Sequence, residues 1–104
     1  PTGAPMDVHA TPTSSTSLAI SWRAPPASLS NGKLRGYSIE LRQQDQRGSV
    51  TAVTRPVTGS LGGEQYTVQG LEPGALYEVA VRAFNRAGSG PLSSPRIIRA
   101  TLPA

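Results

Sequence analysis

The chain has no cysteine, so no disulfide framework can hold it together, and the redox compartment it occupies stays open. It has one histidine, His9, one tryptophan and one phenylalanine. Zinc needs several converging cysteine, histidine or carboxylate ligands, and a single imidazole supplies too little. No apolar run approaches the length of a membrane span or of a signal-peptide core. No Asn-x-Ser/Thr acceptor occurs: Asn31 precedes Gly-Lys and Asn85 precedes Arg-Ala. No stretch of helical length is free of proline, glycine or strand-like alternation, which argues against a long helix. Charged residues make up only 15% of the chain. The net charge is +4, and the basic residues form no run, so they are expected to be a solvated surface more than a polyanion site.

Turn residues take the vacated share, with 11 glycines and 10 prolines. Between them the apolar residues alternate cleanly, which sets the chain apart from disordered sequence. At 104 residues it fits one domain, able to bury roughly 60–70% of its extended surface. The expected layout is one domain over 1–104: a linker at 1–5, a sandwich over 6–101 and a linker at 102–104. The chain reads as a module taken from a longer protein.

The most informative stretch is 71–85. Pro73-Gly74 carries turn chemistry, since proline presets φ and glycine tolerates φ > 0. Beyond the turn, Tyr77, Val79, Val81 and Ala83 share one face of a strand and Glu78, Ala80, Arg82 and Phe84 the other. The Tyr77 hydroxyl is placed to bond back to the corner backbone. Six further strands are expected. They run over 7–11, with Val8 and Ala10 inward; 17–22, with Leu18, Ile20 and Trp22 inward; and 36–42, with Tyr37, Ile39 and Leu41 inward. The others are 49–54, carrying Val50 and Val53; 64–68, with Tyr66 and Val68 inward; and 91–100. In the last, Pro91 and Pro95 suit an edge, and adjacent Ile97 and Ile98 force one side chain outward unless a bulge intervenes. Polar turns fill 12–16 and 43–48, Asn31-Gly32 marks another, and 56–63 is the least structured part. The Trp22 ring is the expected centre of a core that also takes Tyr37, Leu71, Tyr77, Val79 and Val81. Seven short strands with turn signals every 8–12 residues or so are the signature of an all-β, seven-stranded antiparallel immunoglobulin-like β-sandwich.

These residues carry a resemblance. Pro5, Leu18-x-Ile20-x-Trp22 with Pro25-Pro26, Gly36-Tyr37-x-Ile39, Leu71-x-Pro73-Gly74-x-x-Tyr77-x-Val79-x-Val81-x-Ala83-x-Asn85 and Gly88-x-Gly90-Pro91 occur in an order similar to that of a fibronectin type III domain, from about Pro5 to Thr101. The resemblance implies a disulfide-free sandwich with strands A, B and E facing C, C′, F and G. Two phrases, residues 31–37 and 83–91, look most like repeats of neuronal cell-adhesion receptors of the Down syndrome cell-adhesion molecule, Sidekick and DCC/neogenin kinds. Receptor phosphatases and intracellular muscle proteins of the titin type carry similar text, so an intracellular structural repeat is an alternative that the resemblance implies. What the neuronal likeness implies is the extracellular part of a single-pass plasma-membrane protein, its targeting signals and span lying outside the fragment. It also implies a non-catalytic spacer and protein-interaction module next to other immunoglobulin or fibronectin type III domains, with homophilic contacts among its options. The loop 85–90 lacks the Arg-Gly-Asp of integrin-binding repeats, so that mode of binding is not implied. The Trp-Ser-x-Trp-Ser motif and paired cysteines of cytokine receptors are absent too.

Chemistry finds little foothold. His9 follows Asp7 by two residues, but no motif places a nucleophile beside it. The run Gly59 to Gly63 lacks the Lys-Ser/Thr of a phosphate loop, and Gly88-x-Gly90 runs into a proline where a dinucleotide site needs a helix. No catalytic residue, cofactor, metal or nucleic-acid partner is expected. On the outer face of the C–F sheet, shared parity pairs Glu40 with Arg82 and Arg42 with Glu78. Phe84, outward by parity, together with Arg86, Lys33 and Arg35, is the candidate partner contact. Arg35, Lys33, Arg86 and Arg82, if gathered at one end of that sheet, suit heparan sulfate or another polyanion as the alternative partner.

Overall fold

A computed structural model describes residues 3–26, 33–44, 51–58, 63–93 and 97–103. The turn at Asn31-Gly32, Val50, most of the run Gly59 to Gly63, and Pro95 lie outside the described residues. Among the described residues, eight strands form two antiparallel sheets. The first sheet has the order β1 (Met6–Ser14), β2 (Ser17–Arg23), β5 (Glu64–Val68). The second runs β4 (Thr51–Pro56), β3 (Gly36–Gln43), β6 (Leu76–Asn85), with β7 (Gly88–Ser89) and β8 (Ile97–Ala100) both paired to the far side of β6.

The period-two pattern decides which face of each strand is buried. Leu18, Ile20 and Trp22 from β2, Tyr37, Ile39 and Leu41 from β3, Val68 from β5, and Tyr77, Val79, Val81 and Ala83 from β6 form one core with Val8 and Ala10. Trp22 sits in this core at 2% exposure and meets the Tyr37 ring edge-on, centroids 5.3 Å apart at 68°. Leu71 and Tyr66 are only partly buried and pack against the cluster. Tyr66 lies under the Arg55 guanidinium, 4.9 Å from its ring centroid, a cation–π contact that suits a ring at the sheet edge.

The corner before β6 has the expected chemistry. Ala75 N donates to Glu72 O across the turn, and Gly74 takes φ of 69°, which glycine adopts without strain. Glu72 N donates to the Tyr77 hydroxyl at 2.8 Å. Thr101 Oγ1 donates to Glu72 O at 2.6 Å, so the corner is also tied to the segment after β8.

Two strands depart from the pattern in the sequence. The first runs on through Pro12 to Ser14, where a polar turn is expected from residue 12. β1 is an edge strand, where a residue without an amide donor is tolerated. The chain turns at Ser15-Thr16, where the Ser14 and Thr13 hydroxyls both meet Ser17 Oγ at 2.6 Å. The last strand, expected over 91–100, is strand only at β8, with 91–93 outside any strand, and β7 adds a short pair inside the expected loop 85–90, giving eight strands among the described residues where spacing predicts seven. Between them, Ser93 N donates to Val81 O at 2.8 Å and Val81 N donates to Ser93 Oγ at 3.0 Å. A serine hydroxyl thus takes a ladder bond that regular pairing would give to a backbone carbonyl. Of the adjacent isoleucines, Ile97 packs against the core and Ile98 is exposed.

Candidate binding groove

The outer face of the β3–β6 sheet neutralises its own charges. Arg42 stands directly opposite Glu78 in the register. Its Nε donates to Glu78 Oε2 at 2.9 Å, and its Nη2 donates to the same oxygen. Arg82 Nε lies 3.3 Å from Glu40 Oε2 on the diagonal, as an ion pair without hydrogen-bond alignment. Both pairings are those that parity predicts. Partly exposed pairs of this kind contribute only ~0.2–1 kcal/mol each. Their larger consequence is that Arg82 is engaged on the sheet and does not join the other cations at its end.

Those other cations gather at that end. Lys33, Leu34, Arg35, Val57, Thr58 and Arg86 line an open groove of about 580 Å³. It lies where the segment before β3, the segment after β4 and the β6–β7 hairpin meet. The backbone fixes this junction: Arg35 N donates to Phe84 O at 2.9 Å, and Val57 N donates to Arg35 O at 3.2 Å. Leu34 and Val57 are half-buried against the core and form an apolar floor. Arg86 is carried at the hairpin tip, where the buried Asn85 accepts from Ala87 N through Oδ1 at 2.9 Å. Lys33, Arg35 and Arg86 are exposed, and none has an ion-pair partner among the described residues. The structure therefore brings together three of the four candidate contact residues. The fourth, Phe84, is half-buried on the sheet face and is not part of the groove lining. Its ring lies over Gly36, the residue opposite it in β3.

Parity in β5 also carries a residue that the sequence reading passed over. Glu64 shares a face with Tyr66 and Val68 and stands opposite Trp22, so its side chain turns inward and is buried. Thr58 satisfies the carboxylate, donating from N at 3.0 Å to Oε2 and from Oγ1 at 2.7 Å to Oε1. These two bonds fix one wall of the groove. The buried Tyr37 hydroxyl, by contrast, has no hydrogen-bond partner among the described residues. Burial pushes its pKa up to about 12, with the Glu64 charge adding to the effect.

Two tyrosines thus allow opposite expectations. Tyr77→Phe removes the corner bond and is expected to cost about 1 kcal/mol. Tyr37→Phe removes an unpaired buried hydroxyl and is expected to be neutral or stabilising. Because the Tyr37 pKa is raised on folding, the folded state holds the proton more tightly. Stability is then complete below the ordinary tyrosine value near 10 and falls as pH rises towards about 12. Urea titrations across that range should show the decline in the parent chain and a weaker decline in Tyr37→Phe.

Elsewhere, Asp7 takes φ of 52° beside a register shift in β1. Its carboxylate lies 3.5 Å from Arg23 Nε, while His9 is exposed. Among the described residues, no group of three or more histidine, cysteine, aspartate or glutamate side chains is placed to hold a metal ion.

A disulfide-free immunoglobulin-like sandwich with a tyrosine corner is the class that this geometry defines. Residues 3–99 match the family model of the fibronectin type III domain, and the chain belongs to that family. It is 44% identical over 96 residues to the mouse and human cell adhesion molecule DSCAML1, covering 90% of this chain and 5% of each relative. It is 40% identical over 102 residues to rat cell adhesion molecule DSCAM, covering 98% of this chain and 5% of that protein. The chain therefore spans about a twentieth of the length of these relatives. Among solved structures, the FN1–FN3 domains of chicken CNTN1 superpose with a TM-score of 0.82 at 27% identity, over 98% of this chain and 31% of that one. The FN5 domain of Drosophila Lar does so with a TM-score of 0.72 at 31% identity, over the whole of both chains.

Proposed function

We infer that this chain is a non-catalytic, extracellular module of a cell-adhesion or axon-guidance receptor, acting as a spacer that also offers a protein-contact surface. The likeness to cell adhesion molecules over most of the chain supports the receptor context. The polarity of the sandwich carries the spacer reading. β1 begins opposite Arg23, at the end where β6 finishes, and β8 finishes opposite Leu76, at the end where β6 begins. The chain thus enters at one end of the sandwich and leaves at the other. A module threaded in this way adds its length to a series of domains, and the longest dimension is 43 Å. Lys33, Arg35 and Arg86 sit at the entry end, where a preceding domain or a partner has access to them.

The extracellular placement has a direct check. Antibodies raised against the folded domain should label intact cells that produce the full-length protein. Labelling only after permeabilisation would remove the ectodomain reading and favour an intracellular repeat.

A further inference from the structure

We propose that the groove between the 33–35 segment, Val57-Thr58 and Arg86 binds a linear sulfated polysaccharide. This deepens the ectodomain reading and rests on it, because such polymers lie outside the cell.

The first support is the contrast in how the cations are used. On the sheets, Arg42 and Arg82 are matched to carboxylates, Arg23 lies beside Asp7 and Arg55 stacks on Tyr66, while Arg99 of β8 stands alone without an ion pair among the described residues. At the groove, Lys33, Arg35 and Arg86 stand without any such partner among the described residues. The sequence reinforces this. The described residues of the loops at this end, 24–26, 33–35, 57–58, 63 and 85–92, contain no aspartate or glutamate. The nearest buried carboxylate, Glu64, is already occupied by Thr58. A concave surface with cations of one sign and low-dielectric walls concentrates field and attracts polyanions.

The second support is shape and lining. The groove is open and about 580 Å³ in volume, which suits an extended chain laid across it better than an enclosed small molecule. Arginine forks match the oxygens of sulfate groups as they match phosphate or carboxylate. Leu34 and Val57 between the cations give the C–H faces of sugar rings an apolar floor. An acidic polypeptide offers the same charge, but tight protein contacts centre on a packed aromatic or arginine anchor in a dry pocket. This lining contains no ring, and its arginines are exposed.

The test uses the full 104-residue chain and a size-defined, heparin-derived sulfated oligosaccharide, with affinity measured by calorimetry at several salt concentrations. The same oligosaccharide stripped of sulfate and a polyglutamate of similar charge serve as comparison ligands. The variants are Arg35→Gln/Arg86→Gln in the groove and Arg55→Gln/Arg99→Gln outside it, which remove equal charge. The parent should bind the sulfated chain, and binding should weaken steeply as salt shortens the reach of its charges. The groove variant should lose about ten-fold or more in affinity, at roughly a few-fold per charge-assisted bond, with its thermal unfolding unchanged. The control variant should lose less than about two-fold if only net charge is altered.

Equal losses in both variants would overturn the groove assignment in favour of diffuse charge. No binding at near-physiological salt would overturn it outright. Polyglutamate binding as tightly as the sulfated chain would transfer the groove to an acidic polypeptide partner. Cell labelling reports on the ectodomain reading without reference to the groove, so the two readings fail separately. A chain that binds the oligosaccharide but is intracellular would lose this occupant.

Discussion

Trp22→Ala is expected to cost about 3–5 kcal/mol of folding stability. The ring is buried between the sheets at 2% exposure, and aromatic side chains of this size dominate core energetics. Its edge-to-face contact with Tyr37 is lost as well, a term worth ~0.5–1.5 kcal/mol in comparable pairs. The indole Nε1 has no hydrogen-bond partner among the described residues, so removing it leaves no acceptor stranded there and offsets part of the loss. The cavity term outweighs that relief, because alanine leaves a gap that strands on both sides are too rigidly paired to fill. Against a typical domain stability of ~5–15 kcal/mol, such a loss is a large fraction of the whole. Urea unfolding should show a much lower midpoint with an unchanged slope. Trp22→Phe keeps most of the apolar volume and should lose markedly less. A midpoint that barely moves in Trp22→Ala would mean that the core is not organised around this ring.

The same residue shows how far the sequence determines the fold. Trp22 ends a clean alternation, and alternation fixes the inward face wherever a strand is paired on both sides or covered by the opposite sheet. β2, β3, β5 and β6 therefore follow the pattern closely, and the ion pairs on β3 and β6 follow from parity alone. Legibility declines at the edges. Pro12 is a turn signal in a central strand, yet an edge strand tolerates a residue without an amide donor. The late start of the last strand goes with Ser93 bonding both ways to Val81, a tertiary arrangement with no local signature. The candidate site divides in the same way. Arg35 and Arg86 are far apart in sequence and meet because the Arg35 amide is bonded to the Phe84 carbonyl beside the hairpin. Glu64 was readable from its parity with Tyr66 and Val68, but a carboxylate directed at a core contradicts the ordinary expectation for a charged residue. The bonds from Thr58, six residues earlier, make it tolerable.

Gly36→Ala is expected to destabilise the chain by about 1–3 kcal/mol, the usual range for overpacking. A Cβ at this position would lie 2.6 Å from the Arg55 carbonyl oxygen and 2.7 and 2.9 Å from two carbons of the Phe84 ring. The site is confined on both sides, since Gly36 stands between Pro56 of β4 and Phe84 of β6. Replacing a glycine by alanine otherwise gains ~0.4–1 kcal/mol by restricting the unfolded chain, so the clash must exceed that gain for the expected sign to hold. The two obstacles can be separated. In a Phe84→Ala background the ring is absent, whereas the Arg55 carbonyl remains. The alanine at 36 should therefore still cost stability there, though less than in the parent. Full recovery would show that β4 yields at the sheet edge and that the ring is the whole obstacle. Either result bears on function, because a ring that fills the space over Gly36 contributes to the fold before it contributes to any partner. Loss of partner binding in a Phe84 variant then counts as evidence of contact only where thermal unfolding is unchanged. Arg86 and Arg35, both exposed and the latter bonded through its backbone, carry no such ambiguity and are the sharper probes of this end of the molecule.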